Sequence, residues 1–525
     1  MNLSLLSIII VLYLLVIAYL GFLGFKHTKT EDDFIVAGKS VHPYIMAISY
    51  GATFISTSAI IGFGGISAMF GMGLMWLVFL NIFVGVFLAF VFFGKKTRQM
   101  GNNLNVKTFP ELLGKRFQST FIQKIVGWII FIFMPLYSAV VLIGGARFIE
   151  QTFAINFEVA LFIFALIITV YVVAGGLKGV MYTDALQGTI MFISMLFLMT
   201  ATFILLKGPI HANELLTNMA NLVPGKLAAA GHQGWTAFPA FNSMWWWTLV
   251  TSLILGVGIG VLAQPQLVVR FMTVKSNKEL NRAVLVGGIF ILVTTGFIYM
   301  VGALSNVFFY QTEGVLAITA AKGNLDKIIP LYINKAMPSW FVYLFMLTLL
   351  SAAMSTLSSQ YHAMGTSIAH DCLPNLVKKK NKIMFVRVGI VIAIMISLIL
   401  AFNLPGGFIA RGTAIFFGIC AASFLPTFFA TIYWKRASKE GAIASIFTGI
   451  IASLFGLFFL HKKEAVALGL CKSLFGKDVL ITSFPWPFID PLVFSLPLAI
   501  IVLVVVSLMT KKVTDKHLTK CFKGI

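Results

Sequence analysis

The densest run of chemistry-bearing residues in this chain is Ser351–Gln360, where Ser351, Ser355, Ser358 and Ser359 fall at i, i+4, i+7 and i+8. On an α-helix these positions share one face, with Thr356 on its flank. Such a face offers several neutral oxygens and no formal charge. Neutral hydroxyls, joined by backbone carbonyls, suit a hard alkali cation such as Na⁺. Hydroxyls in apolar helices also bond their own i−4 carbonyls or tighten packing, so alone they do not make a site. Acids that could serve instead are scarce. Asp184 is expected at a helix start and Asp371 just past a helix end, which leaves the interior almost free of carboxylates. Proton coupling calls for an intramembrane Asp, Glu or His relay, and His362 is the one candidate. No metal-ligand spacing, nucleophile–base pair or phosphate loop is present, so the residues point away from an enzyme.

The carbonyls must come from somewhere, and two apolar stretches can supply them. Residues 46–65 and 247–265 are long enough to span a membrane, yet small residues and, in the second, Pro265 interrupt them. In hydrocarbon an unpaired backbone group costs several kcal/mol, so a helix break survives only beside protein, water or solute. Matched broken helices in corresponding places of two halves mark the binding site of a secondary transporter.

The rest of the chain is built to hold such helices in a bilayer. It has 525 residues, 59% hydrophobic and only 11% charged, with mean hydropathy +0.96. The reading is an all-α membrane protein with thirteen spans, numbered here in chain order: 3–25, 43–69, 73–94, 120–146, 157–175, 183–206, 244–268, 283–308, 338–368, 384–403, 408–433, 441–460 and 486–510. Each provides the roughly 20 residues a bilayer helix needs. Span 1 lacks the basic start and cleavage site of a signal peptide. The chain divides into an extra helix and loop (1–42), a first half of spans 2–6 (43–206), a loop (207–242), a second half of spans 7–11 (243–433), and two further helices with a basic tail (434–525). Five spans per half is odd, so the second half enters the membrane inverted, and the broken spans 2 and 7 open the two halves.

A net charge of +22 would suit nucleic acid, but its distribution suits a membrane. With the N-terminus outside, 28 of the 39 Lys and Arg fall on the cytoplasmic side, led by Lys95, Lys96, Arg98, Lys107, Lys115 and Arg116, the run Lys378–Lys380 and the C-terminal tail. That asymmetry is the positive-inside rule. Anionic lipid accounts for the basic charge without a nucleic-acid partner. Four cysteines, one of them in an exterior loop, give no disulfide framework. Residues 108–116 read as a short amphipathic helix with Pro110 in its first turn, and the triplet Trp245–Trp247 as an interfacial belt, with Trp247 free to face a vestibule. Arg270, just after span 7, is expected to neutralise helix ends or lipid.

Three stretches resemble one family. Gly175–Gln187, Gln264–Met272 and Ala352–Ser359 together are similar to the sodium:solute symporters, and the likeness covers nearly the whole chain, closest by motif to proline, pantothenate and monocarboxylate carriers. The resemblance implies a LeuT-type 5+5 inverted repeat and Na⁺-coupled uptake of a small solute by alternating access in the cell membrane, with no oligomer required. It implies a Na⁺ shell of carbonyls from Ala52, Ile55 and Ala352 with side-chain oxygens from Ser355 and Thr356. Asp184 resembles a family acid on the ion-exit route, although its expected place also suits an N-cap of span 6. Solute contacts implied are Ser56, Thr57, Tyr137, Val257, Val261 and Pro265. The chain departs from the proline carriers at Phe54, where they have Asp, and at Val257 and Val261, where they have aromatics. Sparse hydroxyls facing helix N-termini then suit a small carboxylate or amino-acid-like solute with an apolar body. Two rivals remain: an H⁺-coupled carrier of the same fold, and a membrane sensor, which the short tail after span 13 leaves without an output domain.

Overall fold

The computed structural model describes residues 3–26, 42–174, 177–274, 276–373 and 382–525. The basic run Lys378–Lys380, the loop 27–41 and the Gly175–Gly176 start of the first family stretch lie outside the described residues. Among those described, every regular element is helical, and eleven helical runs are long and apolar enough to cross a membrane. The run Ser58–Leu104 reverses at Gly71, where φ is +61°, so it holds the second half of span 2 and all of span 3. Glycine is required at that reversal, because a Cβ there would meet the carbonyl oxygen of Trp235 at 2.0 Å. The helix Phe157–Ala174 supplies span 5. The thirteen expected spans therefore each have a helix.

Span 2 begins at Pro43, with His42 as N-cap, and its first half runs Pro43–Phe54. The chain then leaves helical geometry at Ile55, with ψ at 96°. It resumes as a wide π-helical turn, Ser58–Phe63, and then Gly64–Phe70. Span 7 repeats the pattern at the opposite end of its run. A π-helical stretch, Thr248–Leu255, leads through Gly256–Gly260 to Gln264, which is extended before Pro265 starts the next turn. Proline has no N–H to lose, and the Gln264 side chain donates to the Gly260 carbonyl at 3.3 Å, so the second break is partly satisfied from within. The opened helices put unpaired carbonyls where they can serve a site.

Around the breaks the spans pack as two interlocked sets. The first half of span 2 lies against spans 6, 8 and 9, and its second half against span 8. Span 7 packs on span 11, span 4 on spans 9, 10 and 11, and spans 12 and 13 on one another. Span 1 is largely lipid-exposed, but its buried Tyr13 donates or accepts a hydrogen bond with Ser351 at 3.0 Å.

The two ends of the bundle differ. At the basic end, Phe109–Arg116 forms the expected short helix, with Thr108 capping the Glu111 N–H at 3.1 Å. It is clamped to the end of span 9: the Thr108 hydroxyl donates to Asp371 at 2.8 Å, and His370 pairs with Glu111 at 3.2 Å. Burial opposes the Glu111 charge, yet hydrogen bonds from His370, Lys115 and the Lys107 N–H hold its carboxyl down at about 2. Two expectations are corrected here. Asp371 lies inside the continuous run Ser339–Cys372, not beyond it. Arg116, counted with the cytoplasmic charges ascribed to anionic lipid, is 0% exposed and packs beside the rings of Phe117 and Phe522, tying the C-terminal tail beneath the bundle.

At the other end, the loop 207–242 closes over span 2. The Trp235 indole N–H donates to the Ala68 carbonyl at 2.7 Å, and His232 Nε2 lies 2.8 Å from the Met69 carbonyl oxygen. Trp245, rather than Trp247, turns inward and stacks on Phe70 at 4.4 Å between ring centroids. Trp247 instead donates to Asn242 at 2.8 Å. Deeper at this end, Arg411 of span 11 donates to Glu464 at 2.6 Å and to Asp490 at 2.7 Å, and all three are buried. The Asp490 N–H in turn donates to the Thr251 hydroxyl of span 7 at 3.0 Å.

Candidate ion and solute site

The break in span 2 faces the hydroxyl face of span 9. The Ser355 hydroxyl reaches the Ala52 carbonyl oxygen at 2.8 Å and also lies 2.8 Å from Ser351 O and 3.2 Å from Ala352 O. Thr356 donates to the Thr53 carbonyl at 3.0 Å. Ala52, Ile55, Ala352, Ser355 and Thr356 are each 0% exposed. Two hydroxyls and several carbonyls from two helices therefore converge in a buried cluster without a formal charge, a donor set fitted to a hard monovalent cation. The Thr53 carbonyl was not anticipated, because a carbonyl leaves no mark in the side-chain pattern.

One turn toward the basic end, the hydroxyls give way to charge. Thr53 Oγ1 lies 3.2 Å from Ser359 Oγ, and both accept from the guanidinium of Arg270, Ser359 at 2.7 Å. The same guanidinium pairs with Asp184 at 3.0 Å and donates from Nε to Ser49 at 3.1 Å, while Ser49 donates to Asp184 at 2.7 Å. Arg270 and Asp184 are both 0% exposed. This overturns two readings. Asp184 stands well inside the helix Leu177–Leu205 and is no N-cap, and Arg270 is neither at the lipid surface nor a free helix-end charge. A buried charge persists only when paired and hydrogen-bonded, and here spans 2, 6, 7 and 9 all contribute partners.

The expected solute contacts divide into separate places. Ser56 and Ser58 bond one another at 2.7 Å, and the Tyr137 hydroxyl donates to Ser56 at 3.4 Å. An aromatic wall encloses this trio: Tyr137 stacks on Phe416 at 5.6 Å and meets Phe417 edge-on at 5.3 Å, and Phe54 lies 6.4 Å from Phe417. Span 7 reaches the wall through Gly260, which abuts Phe417. Of the other expected contacts, Val257 is buried within span 7, and three face elsewhere. Thr57 donates to the Val141 carbonyl of span 4 at 2.5 Å, and Val261 lies against Gly85 of span 3. Pro265 lines a narrow cleft at the basic end, together with Lys107, Thr108, Arg270, Ser359 and His362, with a cavity volume of about 30 Å³. Phe416 and Phe417 escaped the sequence reading because the chain carries 51 phenylalanines, and an adjacent pair among so many gives no signal.

An all-helical membrane chain with two broken helices, one of them facing a row of buried hydroxyls, has the architecture of a secondary transporter. A solved Na⁺-coupled sialic acid symporter in a substrate-bound, outward-open state has the same fold, with a TM-score of 0.74 at 19% identity over 97% of this chain and 99% of that one. Mhp1, a nucleobase-cation-symport-1 family transporter, aligns with a TM-score of 0.51 at 13% identity, covering 94% of this chain and 99% of its own. In sequence, residues 34–449 match the sodium:solute symporter family. Similar proteins include the sodium/pantothenate symporter of Haemophilus influenzae, 26% identical over 86% of this chain and 90% of that protein. The sodium/proline symporter of Escherichia coli is 24% identical over 83% and 86%. The chain belongs to the sodium:solute symporter family. It is a multi-pass membrane transporter, not an enzyme, and couples uptake of a small solute to Na⁺.

Proposed function

We propose that Na⁺ is held between span 2 and span 9 by the carbonyls of Ala52, Thr53, Ile55 and Ala352 with the hydroxyls of Ser355 and Thr356, and that the solute is a small carboxylate or amino-acid-like compound. The observation that carries the ion site is the pair of hydrogen bonds from Ser355 to Ala52 and from Thr356 to Thr53. They bring oxygens of both helices within reach of one cation, without a formal charge that would prefer a divalent ion. A cation at that place bridges the two helices, favours the conformation in which they touch, and orders the solute trio on the same break. Linkage makes the effect reciprocal, so solute tightens Na⁺ as Na⁺ tightens solute. Opening at the basic end would part the helices and release the ion; the charge asymmetry makes that end cytoplasmic and the N-terminus exterior.

Ser56, Ser58 and Tyr137 provide hydroxyl donors at the start of the second half of span 2, where backbone dipoles favour negative charge. Phe54, Phe416 and Phe417 provide an apolar body. Pantothenate and proline, the solutes in the names of similar proteins, are both small carboxylates.

Purified protein in liposomes tests the reading. A thermal-shift screen of amino acids, carboxylates, vitamins and sugars, with and without Na⁺, identifies the solute through the stability it adds. With that solute, the double variant Ser355→Ala/Thr356→Ala is expected to lose Na⁺-stimulated uptake while reaching the membrane intact. Unaltered Na⁺ dependence in that variant would remove the proposed shell.

A further inference from the structure

The ion shell and the cleft at the basic end are neighbours, and one side chain separates them. Arg270 and Ser359 line the cleft, and the same two residues hold Thr53, whose carbonyl belongs to the shell. Any ion leaving the shell toward the cleft must therefore pass the group of Ser49, Thr53, Asp184 and Ser359 oxygens. These four side chains all face one cation, and that cation belongs to the protein. The second oxygen of Asp184, Oδ1, is fully buried with no hydrogen-bond partner among the described residues, so the carboxylate keeps unused capacity beside the passage.

We propose that Arg270 is the ion gate of this carrier: its guanidinium is a tethered cation that occupies the oxygens lying between the Na⁺ shell and the cleft, and Na⁺ leaves only when Arg270 withdraws. The inference rests on the ion shell proposed above. Arg270 is a positioning residue here, since it touches the oxygens on the path and not the bound ion. Its anchorage fits the role. Arg270 follows the break of span 7, and its Nη1 donates back to the Gln266 carbonyl at 2.9 Å, so it rides on the segment after Pro265. Movement of that segment away from spans 2, 6 and 9 would draw the guanidinium out and free the Asp184 carboxylate and three hydroxyls together. The departing Na⁺ then meets an oxygen set of the charge it needs, next to the open cleft. Before that movement the paired charges cancel and the passage offers the ion nothing.

Binding of radioactive sodium to the purified full chain at alkaline pH tests this without a known solute. Arg270→Gln leaves Asp184 unpaired beside the shell and is expected to tighten Na⁺ binding by on the order of tenfold, as removal of one nearby positive charge would in a partly screened interior. It should also speed Na⁺ exchange in both directions, since no guanidinium then occupies the passage. Arg270→Lys keeps the charge and should stay near the native affinity, and adding Asp184→Asn to Arg270→Gln should abolish the gain. A purely structural role for Arg270 would give weaker or unchanged Na⁺ binding in folded Arg270→Gln, and that result overturns the gate. If Arg270→Gln does not fold, Asp184→Asn alone decides. It leaves the guanidinium charge uncompensated and should weaken Na⁺ binding, so native affinity there also overturns the gate. Loss of the ion shell reading looks different: the native chain would show no saturable Na⁺ binding, or Ser355→Ala/Thr356→Ala would keep it.

Discussion

Tyr137 joins the two halves of the chemistry, since its ring belongs to the aromatic wall and its hydroxyl to the Ser56–Ser58 pair. Removing only the hydroxyl separates the roles. Tyr137→Phe keeps the wall and removes one donor from the trio, so solute KM is expected to rise about fivefold, the worth of one neutral hydrogen bond near 1 kcal/mol. Na⁺ binding without solute should be unaltered, and titrating the variant with Na⁺ alone checks it. At this scale the sequence was readable where chemistry sits in side chains with a period. Ser351, Ser355 and Ser359 announced themselves by spacing, and Thr356 by adjacency. Thr53 did not, because its contribution to the shell is a carbonyl. Arg270 did not, because one charge after an apolar run looks the same whether it meets lipid or folds back beneath the helix. Only tertiary packing decides that, and it is packing that brings Asp184 and Ser49 to it.

The broken spans are the elements whose geometry matters most, and small residues set how closely they approach their neighbours. Gly260 touches span 11 so tightly that a Cβ would stand 2.5 Å from the Phe417 carbonyl oxygen and 2.7 Å from its carbonyl carbon. Backbone cannot yield as a side-chain tip can. Gly260→Ala is therefore expected to push span 7 off span 11, destabilise the folded protein by about 1–3 kcal/mol as overpacking does, and reduce transport. Gly288→Ala, where nothing lies within 4 Å, is the matched control and should melt at the native temperature. Thermal unfolding of the two variants side by side gives the answer. Positions and number of the spans followed from apolar runs, and the breaks from Gly, Ser and Pro within them. The π-helical widenings at Ser58–Phe63 and Thr248–Leu255 could not be read, since they arise where a helix yields to its neighbours rather than from any residue pattern of its own.

Across the whole molecule, the Arg411–Glu464–Asp490 cluster ties span 11 to the connection between spans 12 and 13, and through Thr251 to span 7. Removing one member of a buried charge group leaves the others uncompensated, at a cost of about 3–5 kcal/mol. Arg411→Ala is expected to lower the melting temperature by more than any surface Lys→Ala change, such as Lys477→Ala, and differential scanning of the purified variants measures it. No spacing rule links positions 411, 464 and 490, so this tie was beyond sequence reasoning. The membrane class and repeat, by contrast, rest on hydropathy and chain order and were legible from the start.

That cluster also bears on how the chain can be recombined. The stretch matching the family ends at residue 449, yet two carboxylates that satisfy its buried Arg411 come from beyond that point. A segment cut at that residue would therefore be electrostatically incomplete. A hybrid carrier joined at the family boundary would strand a guanidinium in its interior unless the incoming segment brought acids to the same two places. Donor and recipient have to be matched there first, whatever solutes they carry.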